Sequence, residues 1–172
     1  MAKVVKNYYE NGMLAEKYFV NGGKREGEHK LYHENGQLSY ICNYVDGKIE
    51  GKCKKYYENG KPYIVCNYVN GKLTGEFKTY SEDSKYTEIF NYIHGEPEGV
   101  CKSYFDKQLH TTDNFINGEL YYHTEYYENG QPHKIYNYVN GKPNNCKIYC
   151  PDGTLYKEDD CHRTWLKIIE HD

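Results

Sequence analysis

The sequence has little of what most globular domains are built from. Of 172 residues one is Trp, two are Met and five are Phe, and the mean hydropathy is −1.00 with 38% hydrophobic residues. That excludes a thick aliphatic core, since apolar burial is the main favourable term in folding. Arginine occurs only at Arg25 and Arg163, the formal charge is −3, and the pI is near 6.2. Nucleic acid is thereby excluded as a partner, because its recognition needs a basic surface and favours the bidentate guanidinium. No stretch approaches the roughly 18 apolar residues of a membrane helix. The opening Met-Ala-Lys-Val-Val-Lys has no apolar segment of a secretory signal.

What is present in quantity is tyrosine, 22 residues, and glycine, 16. A disordered chain would lack the aromatics, whereas a thin sheet needs them, because a Tyr ring covers a neighbouring strand while its hydroxyl stays wet. Seven cysteines, an odd number without a signal, read as reduced thiols in an intracellular, cytoplasmic setting. Each is expected to act as a small buried hydrophobe. The bias to Lys, Asn, Tyr and Ile implies an AT-rich genome, such as that of a large DNA virus or a low-GC bacterium; for a virus the location is the host cytoplasm.

The chain repeats. Asn-Gly recurs at Asn11-Gly12, Asn35-Gly36 and Asn59-Gly60, each 24 residues after the last, and the next equivalent is Asp83-Ser84. After a two-residue shortening the pattern returns at Asn129-Gly130 and Asp152-Gly153. A second series lies between: Gly22-Gly23, Asp46-Gly47, Asn70-Gly71, His94-Gly95, Asn117-Gly118 and Asn140-Gly141. Such pairs between apolar alternations are hairpin signals, because a type I′ turn needs positive φ at both central residues. The runs between them have strand lengths, and tight connections make the pairing antiparallel. The fold expected is all-β: an elongated, twisted, solenoid-like single sheet of tandem β-hairpin repeats. Its units cover about 6–26, 27–50, 51–74, 75–98, 99–120, 121–144 and 145–158. The tail 159–172 is expected to form a C-terminal cap, more a short helix than a strand, since Trp165, Ile168 and Ile169 fall at i, i+3, i+4.

Placing Asn59-Gly60 at a two-residue tip pairs Tyr57 with Pro62, Tyr56 with Tyr63, Lys55 with Ile64, Lys54 with Val65 and Cys53 with Cys66. The same register pairs His29 with Cys42, Phe77 with Phe90 and His123 with Tyr136. Alternation then assigns two faces. One, expected to be more buried and concave, carries Tyr40, Cys42, Tyr44, Ile64, Cys66, Tyr68, Phe90 and Tyr92, with Phe77 and Cys101. The other carries the candidate interaction surface: the column Tyr32, Tyr56, Tyr80, Tyr104 and Tyr126, with Lys30, Lys54, Lys78 and Lys102 two residues before. Gly27, Gly51, Gly75 and Gly99 open successive units in mid-run, which marks bulges or close backbone approach.

The phrases Tyr-Tyr-Glu-Asn-Gly (8–12, 56–60, 126–130) and Tyr-Val-Asn-Gly-Lys (68–72, 138–142) resemble the MORN-type repeat in its variant lacking Trp. The resemblance covers roughly residues 6 to 157, and is weakest in units four and five, around Asp83-Ser84 and Lys107-Gln108. It implies a twisted antiparallel sheet used for protein–protein contacts, often in homodimers, with links in some members to acidic phospholipids or antitoxin-like roles.

Cys146 and Cys150 would lie about 13 Å apart on a straight strand, at roughly 3.3 Å per residue, too far for a structural zinc pair. The Cys and His residues fall at repeat-equivalent positions, and no G-x-S-x-G, phosphate loop or H-E-x-x-H occurs. The expectation is therefore no catalytic residue, no metal and no cofactor. Lysine columns offer acidic headgroups on the order of 1 kcal/mol each, but Glu10, Glu34, Glu58, Glu82 and Glu128 form a ladder at the tips. The reading is a non-enzymatic scaffold for a protein partner, self-association included; the alternatives are a binder of acidic phospholipid headgroups and an antitoxin or immunity-type inhibitor.

Overall fold

A computed structural model describes residues 2–160 of the chain. It is all-β, with no helix among the described residues. The strands are β1 (Lys3–Tyr8), β2 (Leu14–Asn21), β3 (Lys24–Arg25), β4 (Gly27–Tyr32), β5 (Leu38–Val45) and β6 (Lys48–Ile49). There follow β7 (Gly51–Tyr56), β8 (Pro62–Val69), β9 (Lys72–Leu73), β10 (Gly75–Tyr80), β11 (Tyr86–Ile93) and β12 (Glu96–Pro97). The last are β13 (Gly99–Phe105), β14 (Gln108–Ile116), β15 (Glu119–Tyr126), β16 (Pro132–Val139), β17 (Lys142–Tyr149) and β18 (Leu155–Asp160). They form one open antiparallel meander. Two compact units divide it, one of residues 1–84 and 92–95, the other of 85–91 and 96 onward. Asp159 and Asp160, the start of the expected cap, end strand β18; the rest of the cap lies outside the described residues.

The two turn series differ in conformation. At Asp46-Gly47, Asn70-Gly71, His94-Gly95, Asn117-Gly118 and Asn140-Gly141 both residues have positive φ, between 50° and 98°, as two-residue type I′ turns require. The first series corrects the expectation. Gly60 has φ 80°, but Asn59 is absent from the left-handed region. The tip closes instead with Gly60 N–H donating to Tyr57 O and Tyr57 N–H to Lys61 O, both at 2.9 Å. This is a type I turn followed by a glycine in the left-handed region, which adds a bulge residue. Asn59 serves through its side chain: Oδ1 accepts the Lys61 N–H at 2.9 Å, a local bond that Asn and Asp make readily. Asn11, Asn35, Asn129 and Asp152 repeat it.

The bulge moves the register by one residue near each such tip. Cys53 pairs with Cys66, Lys54 with Val65 and Lys55 with Ile64 as expected, but Tyr56 pairs with Pro62 in place of Tyr63, and Tyr57 leaves the ladder. His29 opposite Cys42 and His123 opposite Tyr136 hold, because they lie beyond the shift. In the fifth hairpin the tip is Asp106-Lys107, with φ 46° and 69°, one residue earlier than Lys107-Gln108. A two-residue turn here in place of the longer tip removes one of the two residues by which the repeat is shortened.

The mid-run glycines do mark bulges, and large ones. Tyr44 pairs with Ile49, whereas Ile41 pairs with Lys54, so four residues, Glu50 to Cys53, face two, Cys42 and Asn43. Gly51 takes φ 81° there, and Gly27, Gly75 and Gly99 take 78°, 79° and 76°. Where Tyr121 stands in the glycine's place, β15 runs on unbroken and the shift is a single residue, between Asn114 and Phe115. The glycine thus decides between a broken strand with two extra residues and a continuous one with one.

The core is thin and made of thiols. The buried apolar residues are Cys42, Cys53, Cys66, Cys101 and Cys146. Tyr40, Tyr44, Ile64, Tyr68 and Phe77 pack half-buried against the first three. The face assigned to these residues by alternation is thus the more buried one.

Candidate interaction groove

On the cysteine face of the first unit the sheet encloses an open groove of about 450 Å³. Its walls are Tyr40, Tyr63, Ile64, Tyr68 and Phe77, its floor includes Cys53 and Cys66, and Lys55 and His33 are its basic lining residues. Among the described residues no carboxylate lines it. Its rings are held by neighbours: Tyr57 lies 4.9 Å from Tyr63 and Phe77 lies 5.6 Å from Tyr92 between ring centroids, aromatic pairs worth about 0.5–1.5 kcal/mol each. A half-buried aromatic wall with a basic rim can take an apolar or aromatic segment and one anionic group.

Cys53 and Cys66, which line the groove, belong with Cys42 to a row of three thiols. Cys53 lies directly opposite Cys66 on β7 and β8, and on its other side stands beside Cys42 of β5. The hydrogen bond from Cys53 draws the Cys42 thiol down to about 7, against the opposing effect of burial. The Cys66 thiol is also lowered, first by its bond with Cys53 and then, against burial, by the charge of Lys55. Cys53 between them is pushed up, since bonds to both neighbours favour its protonated form.

Beside the groove His29 sits 5% exposed, caged by Tyr18, Tyr40 and Tyr44 at 5.7–5.8 Å. Its Nε2 meets Glu16 Oε1 at 2.9 Å, and Arg25 stands 3.4 Å from the same oxygen and 4.7 Å from the Tyr18 ring. Burial lowers the His29 pKa despite the Glu16 bond. At the equivalent repeat position in the second unit His123 Nδ1 bonds Asp113 Oδ1 at 2.7 Å, and that bond raises its pKa against burial.

The residues of the sequence-derived candidate surface are scattered across different environments. Tyr56 lines the groove. Lys30 and Lys78 are each paired at 2.7 Å, with Glu28 and Glu76, which raises both ammonium groups' pKa. Lys54 is half-buried between Ile41 and Val65, and Lys102 is exposed. Tyr32, Tyr80 and Tyr104 are half-buried, and the Tyr126 hydroxyl meets Thr112 Oγ1 at 3.1 Å. Sequence reasoning overlooked the second Tyr of the tip motif. The hydroxyls of Tyr9, Tyr57 and Tyr127 donate to the carbonyls of Tyr32, Tyr80 and Tyr149, one repeat onward, at 2.5–2.8 Å, and His33 makes the same link to Tyr56 at 2.9 Å. The doubled Tyr-Tyr before the tips, at 8–9, 56–57 and 126–127, was the available signal.

A search of curated proteins gave no match. Among solved structures, the crystal structure of TarM matches at 18% identity over 64% of this chain and 19% of that one, with a TM-score of 0.39. A mutant of S. aureus TarM in complex with Fondaparinux, alpha-GlcNAc-glycerol and UDP matches at 14% identity over 62% and 19%, with a TM-score of 0.38. This chain spans about a fifth of the length of those structures. The model of the MORN repeat variant matches residues 3–21, 25–46, 49–70 and 122–140. The matched segments follow the hairpin register described above, in both units, and these four segments of the chain are repeats of the MORN variant type.

Proposed function

We propose that this chain is a non-catalytic scaffold that holds a segment of a protein partner in the groove of its first unit. The observation that carries the reading is the groove itself: aromatic walls, a lysine at the lining and no carboxylate. Rigid rings supply contact area with little loss of side-chain entropy, and aromatic residues are enriched at interface hot spots. The partner segment is accordingly apolar or aromatic with an acidic residue. In support of a non-catalytic role, His29 and His123 occupy one repeat position shared with Cys53, Phe77 and Cys101, as structural residues do.

Panning a peptide-display library against the immobilised full chain tests this. A consensus carrying an aromatic and an acidic residue is expected, and Lys55→Glu, at an exposed position, should turn the selection away from acidic sequences. Enrichment of no consensus, or one indifferent to Lys55→Glu and to Ile64→Lys, would overturn the proposal. Flotation with anionic liposomes separates it from a headgroup-binding role, in which Lys30, Lys54 and Lys78 would matter and Ile64 would not.

A further inference from the structure

Three adjacent strands bring three thiols into one row, and only there among the described residues do cysteines neighbour each other. Cys101 is as buried as Cys53, both at 2%, but faces Asp113, and Cys146 faces Tyr136. Directly opposite residues of an antiparallel pair have Cα atoms about 4.5 or 5.5 Å apart, within the roughly 4.4–6.8 Å span that a disulfide bridges. Cys53 meets this with Cys66, and the register that pairs Ile41 with Lys54 sets it beside Cys42 as well. Both Cys53 and Cys66 line an open groove, which gives a small solute a path to otherwise buried sulfur. The bulge of Gly51 creates the row: its two extra residues carry Cys53 back beside Cys42.

We infer that Cys42, Cys53 and Cys66 form an oxidation site in which Cys53 is the shared partner of two alternative cross-strand disulfides. The co-reactant is hydrogen peroxide. A thiolate sulfur attacks the peroxide oxygen, the O–O bond breaks, and hydroxide leaves to become water, giving a sulfenic acid. The neighbouring thiol then displaces its hydroxyl as a second water while the S–S bond forms. Two thiols lose two protons and two electrons, and the peroxide is reduced to two waters. From a Cys53–Cys66 disulfide, attack by Cys42 on the Cys53 sulfur releases Cys66 as thiolate and moves the link to Cys42–Cys53. The first link staples one hairpin; the second staples two successive repeats. The first fixes the spacing of two residues that line the groove and the second ties one of them, Cys53, to the neighbouring repeat, so the site joins the redox state to the geometry of the groove.

The full chain, treated with hydrogen peroxide under native conditions, alkylated and mapped as non-reduced peptides, decides the matter. Loss of two thiols per chain is expected, with Cys53 linked to Cys66 or Cys42, and with Cys101 and Cys146 still reduced. Cys66→Ser should leave only the Cys42–Cys53 link, and Cys53→Ser should abolish both. Consumption of Cys101 and Cys146 as fast as Cys53, a Cys42–Cys66 link in Cys53→Ser, or three intact thiols in the unmodified chain would each overturn the inference. If Cys53→Ser does not fold, the comparison with Cys101 and Cys146 in the unmodified chain still decides it. None of these readouts depends on a bound partner.

Discussion

Ser84 takes φ 64° at the tip between β10 and β11, where the other tips of its series have Gly12, Gly36, Gly60, Gly130 and Gly153 at 80–87°. Its N–H still donates to Ser81 O at 2.9 Å, so the turn is the same turn with the wrong residue in it. A side chain in the left-handed region is disfavoured by roughly 1–2 kcal/mol, partly offset by the greater unfolded-state freedom of glycine, about 0.5–1 kcal/mol. Ser84→Gly is therefore expected to stabilise the chain by about 0.5–1 kcal/mol. A urea titration checks it: the midpoint should rise at constant slope, and an unchanged or lower midpoint would show that the Ser81–Asp83 bond at 2.6 Å depends on Ser84 in a way the backbone argument omits.

Neighbouring hairpins are tied by more than their ladders. Three of the type I′ turns hang on the repeat before them: Gly47, Gly71 and Gly95 N–H groups donate to the carbonyls of Arg25, Ile49 and Leu73. The carboxylates of Glu26, Glu50 and Glu98 accept from the amides of Asp46, Asn70 and Asn117 at 2.7–2.9 Å. Thr74 interrupts that row, turning its hydroxyl to the Lys72 carbonyl. At the opposite tips the tyrosine hydroxyls do the tying, so Tyr57→Phe should cost about 1 kcal/mol. Hydrogen exchange locates the effect: amides at the 57–61 tip should exchange faster while β1 and β2 stay protected, and uniform acceleration would refute a local tie. Much of this element scale was legible in the sequence. The 24-residue beat gave the strands, and positive φ at Asn70-Gly71 followed from turn chemistry. The Asn59-Gly60 tips misled because the same dipeptide also suits a type I turn with a glycine bulge, and only the extra paired residues around it decide which forms. The groove was illegible for a related reason. Alternation sorts side chains by face, but the bulges that bring Cys42, Cys53 and Cys66 into one row add residues whose number the pattern does not contain.

Across the whole molecule the two units answer pH with opposite sign. His29 and His123 share a repeat position, yet burial among three tyrosines lowers the first below its ordinary 6.5, while the bond to Asp113 raises the second above it. A group with a lowered native pKa contributes stability that is present above its unfolded value and is lost as pH falls through the native one. The first unit should therefore weaken on acidification below about pH 6.5. A raised pKa works the other way: the contribution of His123 is complete below about pH 6.5 and is lost as pH climbs through its native value. Hydrogen exchange read separately in β4–β8 and β14–β17, from about pH 8 to about pH 5 after correction for intrinsic rates, should show protection falling in the first set and rising in the second. His123→Gln should remove the rise and leave the fall in place. Parallel changes in both sets would mean that the ring cage around His29 does not hold it neutral, and that Glu16, 2.9 Å away, governs that site as Asp113 governs the other.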